Sequence, residues 1–143
     1  MTLSLFQKIT LGLAGITALA IGLCILAVPH QFYASYGINL ADDASLLSEL
    51  RAPGAGLAVL GGLMLWGIVK RTMRQVALAA ALTVYIAFPA GRLVGVLVDG
   101  MPSGSILGAL AFEVGIAALC LLAFRRGSRP PAPQGNSSHA PAA

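Results

Sequence analysis

Two charged side chains lie inside long apolar stretches of this chain, and their chemistry needs an explanation. Arg92 comes seven residues before Asp99, and Glu113 comes eight residues after Ser105. At a helical rise of about 1.5 Å per residue, both lie about 10–12 Å from the neighbouring helix ends. An ionisable group at that depth is costly unless it has a partner. We therefore predict that Arg92 and Glu113 form an ion pair between adjacent antiparallel helices.

Other polar residues fall near the same level of the predicted bundle. Asp99 lies close to the helix face of Arg92, because seven residues are nearly two full turns. Tyr85 lies on the same stripe and is expected to supply a hydrogen bond below the ion pair. Together these residues form a predicted charge cluster with a binding or structural role: Glu49, Arg51, Tyr85, Arg92, Asp99 and Glu113.

The sequence contains none of the familiar catalytic constellations. Its histidines are His30 and His139, and it has no HExxH motif, nucleophile elbow or phosphate-binding loop. Cys24 and Cys120 both lie in apolar runs, without the spacing of a metal site. We therefore predict no catalytic residues, no metal and no cofactor, and the sequence disfavours an enzyme.

The elements that position these residues follow from composition and hydropathy. The 143 residues are 57% hydrophobic and only 10% charged, whereas soluble domains carry about 25% charged residues. A soluble domain this short cannot bury so much apolar surface, so we expect a lipid bilayer around it. Four apolar stretches approach the length of about 20 residues that a spanning helix needs. The predicted helices cover residues 9–28, 46–69, 76–98 and 106–124.

These stretches predict an all-α fold: an integral membrane four-helix bundle with short loops, formed by residues 1–125. Asp42, Asp43 and Ser45 are plausible N-cap residues for the second long helix. The composition then changes to a Pro/Ser/Ala-rich segment. Residues 126–143 are therefore predicted to be a disordered tail.

The basic residues predict the orientation. Lys8 precedes the first helix, residues 70–74 between the second and third contain three basic residues, and Arg125, Arg126 and Arg129 follow the fourth. The other two links, 29–50 and 99–105, contain no Lys or Arg outside the helices. By the positive-inside rule, both termini are predicted to be cytoplasmic. Because the basic residues are clustered between apolar runs, the sequence argues against a nucleic-acid partner.

Small residues recur every four positions. Such steps occur at Gly91 and Gly95, at Gly104 and Gly108, and in two longer series. The series are Ala14, Ala18, Gly22 and Gly54, Ala58, Gly62. Close packing of small faces is a main source of helix association in lipid. The steps predict a compact bundle and leave open a homo-oligomer or a membrane-complex partner.

The link after the first helix contains Phe32, Tyr33 and Tyr36 beside His30. Tyrosine is enriched at bilayer interfaces, where its ring is buried and its hydroxyl meets water. We interpret this aromatic group as an interfacial anchor, in preference to a ligand site.

The order of several short motifs resembles domain-of-unknown-function family 4345. The motifs are Ser48-Glu49-Leu50-Arg51-Ala52, Gly91-Arg92-Leu93, Asp99-Gly100-Met101-Pro102-Ser103 and the single Glu113. The resemblance covers about residues 5–125. It implies a small four-helix membrane protein of the bacterial inner membrane, and it brings no established activity. A looser similarity to DoxX-like membrane proteins suggests a redox accessory role by analogy.

Two hypotheses for the function remain open at this point. In the first, the protein is a structural or accessory membrane component, and a buried network of charges locks its helices. In the second, a polar pocket open to the outside binds a lipid, a quinone or an anion. A small transporter is a third and weaker candidate, because no span is as broken as transporter sites usually require.

Overall fold

The computed structural model describes residues 3–125, and the regular elements of this part are helical. They are α1 (Leu5–Ala27), α2 (Pro29–Ala34), α3 (Ala44–Val69), α4 (Arg74–Asp99) and α5 (Gly104–Arg125), with a 3-10 turn (Arg71–Met73) before α4. Four helices, α1, α3, α4 and α5, are long and apolar enough to cross a membrane. The fold is thus the all-α integral membrane four-helix bundle that the sequence predicts. The predicted tail, 126–143, lies outside the described residues.

The helix ends reflect capping chemistry as well as hydropathy. Helix α1 begins four residues before the predicted start, because Ser4 and Gln7 form a capping box. The Ser4 hydroxyl oxygen accepts from the Gln7 amide at 3.2 Å, and the Gln7 side chain accepts from the Ser4 amide at 3.0 Å. Asp43, one of the predicted caps, accepts from the Leu46 amide at 2.7 Å and starts α3. The short helix α2 was not expected from the hydropathy pattern.

The closest packing in the bundle is between α1 and α3. A Cβ atom added to Gly22 would overlap the backbone nitrogen of Ala58 and would lie 2.6 Å from the carbonyl oxygen of Gly54. A Cβ atom on Gly61 would overlap the backbone of α1 in the same way. The predicted series on α3 is therefore correct at its first two positions and wrong at its third, because an added Cβ on Gly62 meets nothing within 4 Å.

Two connections lie at one end of the bundle, which we call the distal end: residues 28–43 and 100–103. They contact each other, since the Ser103 hydroxyl donates to the carbonyl oxygen of Tyr36 at 3.0 Å. Within the first connection, the imidazole Nε2 of His30 lies 3.0 Å from a carboxylate oxygen of Asp42. The hydrogen bond from Ser103 therefore links the two connections at the distal end.

The fully buried residues of helix α5 all lie in its second half. Its buried residues are Ile116, Cys120 and Ala123, and no residue from Gly104 to Gly115 is buried. Near the opposite end of the bundle, the Gln7 side-chain amide donates to the carbonyl oxygen of Ala123 at 2.9 Å and ties α5 to α1. The distal half of α5 contributes no fully buried residue, and it borders a cavity that residues of α1 and α4 also line.

Candidate functional site

Arg92 on α4 and Glu113 on α5 form a two-point ion pair. The guanidinium Nε donates to one carboxylate oxygen at 3.0 Å, and a terminal nitrogen donates to the other at 3.2 Å. The side chain of Arg92 is 29% exposed and that of Glu113 is 12% exposed. Paired N–H donors that match a carboxylate fix both distance and orientation. The pair therefore sets the relation of α4 to α5 in the half of the bundle where neither helix has a close-packed face.

The buried part of helix α4 ends at Pro89, three residues before Arg92. Its buried residues run from Ala77 to Pro89, and no residue of α4 beyond Pro89 is buried. Proline lacks an amide hydrogen, so the usual helical bond to the carbonyl oxygen of Tyr85 cannot form. Arg92 therefore projects from a part of α4 that has already left the packed core.

A cavity of about 780 Å³ lies between the distal halves of α1, α4 and α5, beneath α2. Val84 and Tyr85 of α4, which belong to the buried core, line it together with Ile21 of α1 and Phe112 of α5. Binding sites for small molecules usually have volumes of about 300–1,000 Å³. The cavity is thus large enough for a small molecule, and most of its wall is apolar.

The aromatic group of the distal connection covers this cavity. Phe32, Tyr33 and Tyr36 all line it, and the Phe32 ring lies 5.3 Å from each of the two tyrosine rings, centroid to centroid. Partial burial raises the pKa of the Tyr33 phenol, and the nearby positive charge of Arg92 opposes that rise without cancelling it. The Tyr33 hydroxyl therefore stays protonated and can donate a hydrogen bond.

The charges that line the cavity cancel. Among the described residues its charged lining consists of Arg92 and Glu113. The remaining polar groups include the hydroxyls of Thr17, Tyr36 and Ser105. The site therefore combines a mostly apolar wall with one charge pair that has no net charge and a few hydroxyl groups.

Two glycines account for part of the space. Gly91 and Gly108 line the cavity, and a Cβ atom added to either would meet nothing within 4 Å. These residues belong to the predicted small-residue steps of α4 and α5, yet in the described chain they do not form a tight helix contact. Their missing side chains leave volume in the cavity.

The structure brings together only part of the predicted charge cluster. Glu49, Arg51 and Asp99 are exposed, do not line the cavity, and in residues 3–125 make no ion pair with Arg92 or Glu113. Arg51 Nε instead donates to the carbonyl oxygen of Leu26 at 3.2 Å, near the end of α1. A common role for these three residues and the ion pair stays a prediction.

The hydrogen bond of the Tyr85 hydroxyl goes to helix α1 and not to the predicted place below the ion pair. It donates to the carbonyl oxygen of Ala14 on α1 at 2.7 Å, and the residue is 3% exposed. Its hydrogen bond therefore joins α4 to α1 and does not support the ion pair. The ring still lines the cavity, so Tyr85 belongs to the site through its apolar surface.

The wall and the cover of the site lie outside the set of residues that the sequence predicts for it. The aromatic residues of the distal connection were interpreted as interfacial anchors, and the glycines as packing positions. The available signal was the grouping of Phe32, Tyr33 and Tyr36 beside a connection without basic residues. In residues 3–125, no three His, Cys, Asp or Glu side chains come together as metal ligands would.

Comparison with known proteins matches the chain to a protein family. Residues 6–124 match the family model described as domain of unknown function DUF4345. No curated protein and no solved structure matches the chain.

Proposed function

The chain belongs to the DUF4345 family, whose description names no activity, and from the geometry of its site we propose that it binds a small lipophilic molecule within the membrane. The binding site is the cavity between α1, α4 and α5. The apolar wall accommodates the body of the ligand, and the Arg92–Glu113 pair meets its polar end.

One observation carries this proposal: the cavity of about 780 Å³ reaches the ion pair. Both partners of the pair line the cavity, so its polar groups are accessible to a molecule inside. A charge pair that served only to lock two helices would be expected to lie in a dry contact. Apolar pockets with a few convergent polar groups are the usual form of small-molecule sites.

The orientation of the protein is part of the proposal. The connection between α3 and α4 carries Lys70, Arg71 and Arg74, and the distal connections, 28–43 and 100–103, carry no Lys or Arg. By the positive-inside rule, this distribution supports an orientation with both termini in the cytoplasm. In a bacterial inner membrane, the cavity would lie in the outer leaflet.

A second candidate function is a structural or accessory role, supported by the bidentate geometry of the ion pair. In the distal halves of α4 and α5, where no residue of α5 before Ile116 is buried, Arg92 and Glu113 form a directed link between the helices. Charge networks of this kind can fix helix register without doing chemistry. The two functions are compatible, because a locked pair also presents a preorganised polar end to a ligand.

The proposal is tested by filling the cavity from a position that has room for a side chain. The variant is Gly108→Leu, and the matched control is Gly115→Leu, seven residues further along the same helix. An added Cβ meets nothing within 4 Å at either position, and only Gly108 lines the cavity. Both proteins are reconstituted in nanodiscs and titrated with a neutral naphthyl ketone dye whose emission shifts in apolar surroundings.

We expect saturable dye binding by the wild type and by Gly115→Leu, and loss of most of it in Gly108→Leu. Equal binding by all three proteins, or binding no greater than that of empty nanodiscs, would refute the proposed site.

A further inference from the structure

We propose that the cavity selects an electrically neutral lipophile with a carbonyl-type hydrogen-bond acceptor at one end, in preference to an anion or a cation. This inference rests on the proposed function, and it specifies the chemistry of the ligand. It follows from the fact that Arg92 uses some of its N–H donors to bind Glu113 and leaves others without a partner.

The charge of Arg92 is already compensated. Both oxygens of Glu113 accept from the guanidinium, at 3.0 and 3.2 Å, and no other charged residue in the described chain lines the cavity. An anionic ligand would bring a negative charge without a counter-charge, because Glu113 already balances Arg92. A cationic ligand would bring an uncompensated positive charge for the same reason. Since an uncompensated charge at membrane depth is costly, both are unfavourable.

The hydrogen-bond donors of Arg92 are only partly used. A guanidinium has about five N–H donors, and two of them go to Glu113. The other terminal nitrogen has no hydrogen-bond partner among residues 3–125, and the side chain, which lines the cavity, is 29% exposed. The Tyr33 hydroxyl adds a donor from the cover. The polar end of the cavity is therefore rich in donors and neutral in charge.

Such an end is complementary to a lone-pair acceptor without charge. A ketone, ester or quinone oxygen accepts hydrogen bonds and needs no counter-ion. The rest of the wall, with Ile21, Phe88 and Phe112, is suited to an alkyl chain or an apolar ring. An alkane would fit the wall and leave the donors of Arg92 without a partner, which weakens its binding.

The test compares four probes of equal chain length: an alkyl methyl ketone, the carboxylate, the primary amine and the alkane. Binding to the full-length protein is measured by calorimetric titration in nanodiscs of zwitterionic lipid. Each affinity is corrected for the partition of the probe into empty nanodiscs. We expect the wild type to bind the ketone about tenfold more tightly than the alkane, the gain for one hydrogen bond to a charged donor. The carboxylate and the amine should bind no better than the alkane.

Two substitutions change the charge of the site and should change its preference. Glu113→Gln keeps an acceptor for Arg92 and leaves a net positive charge, so the carboxylate should become the tightest probe. Arg92→Gln leaves a net negative charge, so the amine should become the tightest probe. The two variants are independent tests, and each is compared with wild type at equal abundance and helix content.

The outcomes separate the two proposals. If the ketone binds and the ranking shifts as described, the inference is supported. If probes bind the wild type saturably but the carboxylate matches or exceeds the ketone, or if neither substitution alters the ranking, the neutral-ligand inference is wrong and the cavity remains a binding site. If no probe binds above empty nanodiscs, the proposed function itself fails.

Discussion

The guanidinium of Arg92 and the carboxylate of Glu113 meet through two hydrogen bonds, at 3.0 and 3.2 Å, across the distal halves of α4 and α5. The pair lies beside a cavity and is not enclosed by close-packed side chains. It therefore links two helices and also presents polar groups to whatever occupies the space between them. This double role, together with the packing of the rest of the bundle, determines how the protein should respond to substitution.

Removing one partner of the ion pair should destabilise the protein more than removing both. Arg92→Ala or Glu113→Ala leaves an uncompensated charge, with an expected loss of about 3 kcal/mol, at the lower end of the range for a broken buried pair. The double variant should recover most of that loss. Thermal unfolding in detergent and abundance in the membrane are the measurements. Wild-type stability in both single variants would show that the pair does not lock the helices.

Tyr85→Phe should lower stability modestly. The substitution removes the hydroxyl that donates to the carbonyl oxygen of Ala14 and keeps the ring in the cavity wall. The expected cost is about 1 kcal/mol, typical of one hydrogen bond. Tyr36→Phe, in the aromatic cover, is the control. If both variants unfold at the temperature of the wild type, the bond between α4 and α1 contributes nothing to stability.

Gly61→Ala should destabilise the bundle strongly, and Gly62→Ala should not. The added methyl group at Gly61 would overlap the backbone of α1 at Leu19, whereas the one at Gly62 meets no atom within 4 Å. Overpacking of this kind costs about 1–3 kcal/mol. Thermal unfolding of the two variants, which differ by one position along α3, measures the contrast. Equal stability of the two would contradict the close approach of α1 and α3.

The sequence predicts the spans of the helices and the depth of residues along them better than it predicts which way a residue faces around its helix. The spans follow from apolar length, and the depth of Arg92 and Glu113 follows from helical rise alone, so the contact between them is accessible from the sequence. The direction of a residue around a helix is harder. Gly61 lies seven positions after Gly54 and nearly on the same face, while Gly62 lies about 80° away from that face at 3.6 residues per turn. The spacing of four residues therefore predicted Gly62 as the packing position, whereas Gly61 makes the contact.

The cavity cannot be predicted from helical spacing, because it depends on how α5 packs against the other helices. Ile116 and Cys120 bury one half of α5 against the bundle. The local sequence of residues 104–115 does not predict that the other half contributes no fully buried residue. The same holds for Phe32 and Tyr33, whose rings cover the cavity only because α2 folds back over the distal end. Tertiary placement decides both features.

The orientation can be tested with reporter fusions. A reporter joined after Phe124 should be active on the cytoplasmic side, and one inserted after Gly37, in the distal connection, should be active on the opposite side. The reason is the location of Lys70, Arg71 and Arg74 at the other end of the bundle. The reverse pattern of activities would place the cavity in the inner leaflet.

The measurement that tests the central claim most directly is photolabelling with an alkyl ketone that carries a diazirine, followed by mapping of the adducts by mass spectrometry. The account predicts adducts at Ile21, Ile106 and Phe112, which line the cavity, and competition by excess unlabelled ketone. Adducts concentrated at Leu97 and Val98, which are 85% and 76% exposed on α4, and insensitive to competitor would contradict a binding site between α1, α4 and α5.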